Sequence, residues 1–412
     1  MKKLVMGIIF YSLIAVPLAL GKGAPVLEGK EATDVLDMVN VKAKPYGAKG
    51  DGVWNSISHS VSGTNDTSAI NAAIAVANVT KQTLYFPVGR YLVSPGALSL
   101  IKTHIYGPEA IIQAFDATQS FLLPVGNYGT GANPLFQTVK LRALLGRKAD
   151  ISYMYQGTKY GSGLYLGFER CYGSWFEIGY IAGFVNGIHL DGNSYDTHIG
   201  SNRFKISFLA GNTHGIFLHC GEMQVEGNKF DIDYIYANAV HVYMLTSNNT
   251  PGWPDGAEGA PFITSNNFDI TVMECNVAGA ESTGFYLVGS NIFINNFSVY
   301  GSLVPSPGDE FVINVTGSVD NRFNLCYLPD AKIYMTTGNI IDTHSFEMGH
   351  PLAVGRGRSS RIGSAAPNSV ACYNRVGDIC WNTVPVAGGG GVLLWTCTTA
   401  GAPGTWTALT LN

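Results

Sequence analysis

Charge is scarce in this chain. Asp, Glu, Lys and Arg together make 13% of its 412 residues, with 25 Lys and Arg set against 29 Asp and Glu. A phosphate backbone is held through many cationic contacts, so this balance excludes nucleic acid as a partner. Cysteine is sparse too: the seven residues are widely spread and never form a Cys-x-x-Cys pair, which indicates neither a dense disulfide framework nor a structural zinc site. Only Cys372, Cys380 and Cys397 stand close enough in sequence to suggest one disulfide, and an odd total leaves a thiol over. Lys and Glu, the common helix formers, are few, whereas Gly numbers 50, Tyr 21 and Phe 20. That usage excludes an all-α fold and predicts a turn-rich, all-β protein.

Long apolar runs are missing except at the start. Lys2-Lys3, an uncharged stretch from Leu4 to Leu20 and small residues at Ala19, Gly21 and Gly23 follow the order of a secretory signal. Residues 1–23 are therefore expected to be removed, with the mature chain beginning between Gly21 and Pro25. An uncleaved anchor is the alternative, since such a stretch is at the short edge of what spans a bilayer. The body is expected outside the cytoplasm, secreted or periplasmic, with no membrane contact after cleavage.

What is abundant is a repeat. Phe176-Glu177-Ile178 recurs as Phe204-Lys205-Ile206, Phe230-Asp231-Ile232, Phe268-Asp269-Ile270, Phe297-Ser298-Val299 and Phe323-Asn324-Leu325. Asn202, Asn228, Asn266, Asn295 and Asn321 each stand two residues before the Phe. A second short apolar run follows each Phe, as in Gly187-Ile188-His189-Leu190 and Gly215-Ile216-Phe217-Leu218. A unit of two short strands cannot bury its apolar face alone, so the units must stack as coils of a parallel β-solenoid. Phe and Ile then face inward, the residue between them faces outward, and the Asn residues line up at about 4.8 Å to bond one another. The longest interval carries a loop, Ser247 to Phe262, of the kind that often holds function.

Ahead of the coils stand Asn40-Val41, then Tyr46-Gly47-Ala48-Lys49-Gly50-Asp51-Gly52, then Asp66-Thr67-Ser68-Ala69-Ile70-Asn71-Ala72-Ala73-Ile74, then Leu84-Tyr85-Phe86-Pro87-Val88-Gly89-Arg90-Tyr91-Leu92-Val93. Asp66 is placed to N-cap a helix whose Ile70, Ala73, Ile74 and Ala77 form an apolar stripe suited to covering the open end of a solenoid. The Leu84 segment reads as two strands about a turn, and the Gly-Asp-Gly as turn geometry. This order resembles the start of the pectate-lyase-like superfamily, in its rhamnogalacturonase/epimerase-like branch, which also includes phage tailspikes and depolymerases. The resemblance implies a right-handed parallel β-helix with an N-terminal capping helix, over residues 24–352, and a polysaccharide partner. It does not fix a reaction, because one fold hosts lyases, hydrolases and binders. The Asn-Thr-Asp, Asp-Asp, Gly-His-Gly and Arg-Ile-Lys set of polygalacturonase-type hydrolases is absent from the sequence.

Stacked in register, the outward residues make columns. One is Glu177, Lys205, Asp231, Asp269, Ser298 and Asn324; the next is Gly179, Ser207, Asp233 and Thr271. Asp231, Asp233 and Asp269 are the candidate catalytic carboxylates, at separations that bracket those of glycosidases. Lys205 is the candidate to neutralise a uronate or act as base of an elimination. Plain solubilising charge is the alternative reading. The second strand set gives His189, Phe217, His241 and Tyr286, with Asp191, His219 and Tyr243 beside it, as a candidate substrate-binding face together with Glu177. No metal ligand set or cofactor is assigned, although clustered carboxylates could hold Ca²⁺.

From residue 353 the repeat stops. A basic Gly/Ser stretch from Gly355 to Arg361 leads to strand-like segments bearing Trp381, Trp395 and Trp406, read as a small C-terminal β module over 353–412 that resembles the ends of phage tail and bacterial surface proteins. The expected function is cleavage of an extracellular pectin-like, capsular or exopolysaccharide chain. The alternative is a non-catalytic adhesin or tailspike-like receptor binder, trimeric in form.

Overall fold

The computed structural model describes residues 38–410 except 127–135, 153–157, 194–196, 247–260, 275–281, 290, 304–310, 319, 326–331, 336–338, 344–351, 355–357, 364–378, 383–391 and 400–404. The secretory segment and nearly all of the Ser247–Phe262 loop lie outside the described residues, as does Cys372. Cys397 is buried, its Sγ 3.2 Å from the Thr399 carbonyl.

The chain is a right-handed parallel β-helix. Three parallel sheets wrap one core. The first runs through Trp175–Ala182, Arg203–Ala210, Lys229–Tyr236, Asn267–Glu274, Asn296–Leu303 and Arg322–Leu325. The second runs through Ser162–Leu166, Asn186–Gly192, His214–Cys220, Val240–Thr246, Ser282–Val288 and Phe311–Thr316. The third consists of two-residue strands from Cys171–Tyr172 to Ile292–Phe293. One pass through third, first and second sheets makes a coil.

The repeat explains the register. Phe176, Phe204, Phe230, Phe268, Phe297 and Phe323 are all fully buried and stack ring on ring, with centroids 4.5–4.9 Å apart from one to the next. At the corner before each Phe, the Asn side chains form a buried ladder: Asn202 Nδ2 donates to Asn228 Oδ1 at 3.0 Å, and Asn228, Asn266, Asn295 and Asn321 each donate to the next at 2.9–3.0 Å. This satisfies corner amides that water cannot reach. A second ladder, Asn212 to Asn238 at 3.1 Å, holds the corner between first and second sheets. Each Asn is preceded by a residue of left-handed backbone: Gly227 where the sequence is best suited, but also Ser201, Ser265, Ile294 and Asp320.

At the N-terminal end, helix α1 (Thr67–Thr80) lays Ile70, Ala73, Ile74 and Ala77 on the core, as the stripe predicts. Asp66 holds the N-cap position without making the capping bond. Its carboxylate instead accepts from the Lys49 and Gly50 amides at 2.6 and 3.0 Å, and Asn65 Oδ1 accepts from the Thr67 amide at 3.1 Å. Burial raises the Asp66 pKa, against the pull of those two amides. Asp51 is likewise structural, receiving the Thr64 amide and hydroxyl at 2.8 Å each. Leu352–Val354, Arg358–Gly363, Ile379–Asn382, Val392–Thr399 and Thr405–Thr410 form a separate, mixed five-stranded sheet.

Candidate functional site

The outer face of the first sheet carries the charged column in the expected register: Lys140, Glu177, Lys205, Asp231, Asp269, Ser298 and Asn324 pair successively across adjacent coils. The flanking column, unforeseen from sequence, supplies Arg203 and Lys229. Lys229 Nζ lies 3.1 Å from Asp231 and 3.2 Å from Asp269, and Arg203 reaches Asp231 at 2.7 Å. Both hydrogen bonds raise the Lys229 pKa. The two candidate carboxylates are thus bridged by a cation. Glu177 is taken by Lys140 at 3.2 Å. Lys205 is exposed and makes no ion pair or hydrogen bond with any described residue.

The expected second column is displaced. After Ile206 and Ile232 two consecutive residues stay out of the core, Ser207-Phe208 and Asp233-Tyr234, before Leu209 and Ile235 return to it. Asp233 is exposed there, and Tyr180, Phe208 and Tyr234 form an outward row with centroids 5.8 Å apart. Phe208 is 42% exposed and Trp175 38%, with the Arg203 guanidinium 4.6 Å above the Trp175 ring.

On the second sheet the register corrects one expectation. His189 pairs with Phe217, Phe217 with Tyr243 and Tyr243 with Tyr286, so the ladder takes Tyr243 in place of His241. His241 occupies the inward position of Gly187 and Gly215, fully buried, with its Nδ1 3.2 Å from Asn238 Nδ2. Burial lowers its pKa to about 3. The outward rings stack along the coils, His189 on Phe217 at 4.8 Å, Phe217 on Tyr243 at 5.0 Å and Tyr243 on Tyr286 at 5.1 Å. Their faces are turned to one another, so solvent meets ring edges.

At the foot of this ladder is a polar cluster. Tyr165 donates to Asp191 at 3.0 Å, and His219 Nδ1 lies 3.1 Å from the other carboxylate oxygen. His189 Nδ1 is 3.2 Å from the Ser162 hydroxyl. Burial pushes the Asp191 carboxyl up, but the His219 hydrogen bond, His189 and Tyr165 bring it below its ordinary value; burial also pushes the Tyr165 phenol up. His189 is driven down to about 4, by burial first, against the nearby Asp191 charge.

A family model described as rhamnogalacturonase A/epimerase, pectate lyase-like, matches residues 38–304. The chain belongs to this family. Among solved structures it is similar to ORF18 of Geobacillus virus E2, at 15% identity and TM-score 0.50, covering 93% of this chain and 78% of that one. It is more distantly similar to the Dettilon tailspike protein, at 13% identity and TM-score 0.33 over 74% of this chain and 70% of that one. PfbA, a surface adhesin of Streptococcus pneumoniae, aligns at 14% identity and TM-score 0.27 over 90% and 98%. No curated protein matches.

Membership of this pectate-lyase-like family accounts for the coils and their cap; the site must be argued from side chains. The structure brings Lys205, Asp231, Asp233, Asp269 and Glu177 onto one face and His189, Phe217 and Tyr286 onto another. Tyr165 went unread in the sequence, although Gly163-Leu164-Tyr165-Leu166 repeats the pattern of Gly187-Ile188-His189-Leu190 one coil earlier. Lys229 and Arg203 could have been found by extending the outward face two residues back along each strand. No helix among the described residues is long and apolar enough to cross a membrane.

Proposed function

We propose that this chain holds an acidic extracellular polysaccharide along the outer face of the first sheet and cleaves its glycosidic bonds there. The observation that carries this reading is Lys205. It stands in the middle of the charged column with no ion-pair or hydrogen-bond partner among the described residues, while Glu177 and Asp231 on either side are already paired with Lys140, Arg203 and Lys229. A free ammonium among satisfied ones is available for a uronate carboxylate. Trp175 and Phe208, exposed on the same sheet, offer ring surface to sugars.

Neutralising that carboxylate would acidify the hydrogen on the adjoining carbon, the first requirement of an elimination. Asp233 lies one coil and two residues from Lys205, roughly 8 Å at the backbone, and is the candidate carboxylate that makes no ion pair among the described residues. Asp231 and Asp269 keep substrate-facing cations in place. A second reading, non-catalytic binding by a trimeric adhesin or tailspike-like protein, is favoured by the pairing of both in-register carboxylates. In either case we place the protein outside the cytoplasm, on the strength of its N-terminal segment.

The test is to incubate the protein with a panel of acidic and neutral polysaccharides while following reducing ends and the ultraviolet absorbance of unsaturated uronates. Both signals rising supports elimination, and reducing ends alone support hydrolysis. Silence on both, with retention on an immobilised acidic glycan, leaves the binder.

A further inference from the structure

On a different sheet from that face, three side chains of two adjacent coils converge without serving the proposed reaction. His189 and Asp191 are alternate, outward residues of Asn186–Gly192, and His219 pairs in register with Asp191 from His214–Cys220. One donor atom of each lies within 4.8 Å of the other two.

We propose that His189, Asp191 and His219 bind a divalent transition-metal ion of the zinc class. The decisive atom is His189 Nε2. It is buried and has no hydrogen-bond partner among the described residues. The carboxylate oxygen Asp191 Oδ2 is 4.0 Å away, too far for a hydrogen bond. Two ligands each about 2.0–2.2 Å from a shared ion lie up to about 4 Å apart, so an ion fills that gap as no bond does. His219 Nδ1 and Asp191 Oδ1, at 3.1 Å, have the spacing of neighbouring ligands.

The surroundings have the form of an outer shell. The other ring nitrogen of His189 meets Ser162 at 3.2 Å, and Tyr165 donates to Asp191 at 3.0 Å, contacts that orient ligands in metal sites. A Cβ at Gly167 would come within 2.5 Å of the Tyr165 hydroxyl and 2.8 Å of the Asp191 Cβ, so glycine keeps that flank clear. Two imidazoles and one carboxylate select a zinc-class ion over Ca²⁺, which takes six or more oxygens. The three side chains are 13–19% exposed, which leaves an entry path from solvent.

The metal-free full chain, carrying no histidine tag, would be titrated with Zn²⁺ by calorimetry, and with Co²⁺ by its visible absorption. One equivalent should bind, with a cobalt spectrum showing nitrogen ligation. Asp191→Asn and His219→Gln should each weaken Zn²⁺ at least tenfold, and His198→Gln, beside Glu226 elsewhere on the helix, should not. Tyr165→Phe should weaken it by roughly tenfold, and serves the test if a ligand variant fails to fold. Absence of a one-equivalent site in the wild-type protein overturns the proposal. So does Zn²⁺ affinity that Asp191→Asn and Tyr165→Phe leave unchanged.

Discussion

Asp231 and Asp269 face each other in register across adjacent coils, and the Lys229 ammonium sits between their carboxylates at 3.1 and 3.2 Å. Like charges directly opposite on a sheet repel. Replacing Lys229 by Met removes the mediating cation, and the cost should be modest because the site is open to solvent: about 1 kcal/mol or less. Denaturant midpoints at low and high salt check this, the difference between the proteins shrinking as salt screens the pair.

Asn266 accepts from Asn228 and donates to Asn295, both at 3.0 Å and both buried. Asn266→Ala strands a buried donor on one neighbour and an acceptor on the other. The expected loss is about 2–4 kcal/mol, read from chemical unfolding. The half-buried Asn267 of the same coil, which donates to Asp269 at 3.0 Å outside the ladder, should tolerate Ala far better.

Ile294 precedes Asn295 with φ of 57°, while Gly227 takes the same corner position with φ of 62°. A β-branched residue is strained there, and Ile294 is 54% exposed, so little packing is lost with its side chain. Ile294→Gly should stabilise the protein by about 1 kcal/mol, seen as a higher melting temperature. A lower one would mean the side chain packs more than its exposure suggests.

His241 has its pKa lowered from 6.5 to about 3 by burial. The unfolded chain therefore binds a proton that the folded chain refuses. Above about pH 6.5 both forms are neutral and stability is unaffected. As pH falls from there towards 3, the unfolded state gains, at up to about 1.4 kcal/mol per pH unit. His241→Gln should flatten this acid limb in unfolding measurements between pH 4 and 7, leaving half-buried histidines such as His214, lowered to about 4 by desolvation, to account for the remainder.

The first sheet was legible in the sequence because Asn, Phe and Ile recur at fixed places in every coil, so the one residue between Phe and Ile fixes the column of Glu177, Lys205, Asp231 and Asp269. Its continuation was not, because the outward step at Ser207-Phe208 and Asp233-Tyr234 breaks the two-residue alternation without any Gly or Pro to mark it. On the second sheet the likeness of His241 to His189 points to an outward residue, which the register contradicts. Ile188, Ile216 and Val242 each follow their coil's Phe by twelve residues, and that constant step places Tyr243, not His241, beside Phe217. Lys229 between two carboxylates, and the unpartnered Nε2 of His189, are facts of side-chain placement that no spacing encodes.

The most direct test of the central claim is the affinity of wild-type protein and Lys205→Ala for an immobilised uronic-acid polysaccharide, with a neutral polysaccharide alongside. The account predicts saturable binding of the acidic polymer that weakens at least tenfold in Lys205→Ala, with Lys140→Ala, whose cation is already paired to Glu177, changing it little. Equal binding by wild type and Lys205→Ala, or equal retention on the neutral polymer, would contradict it.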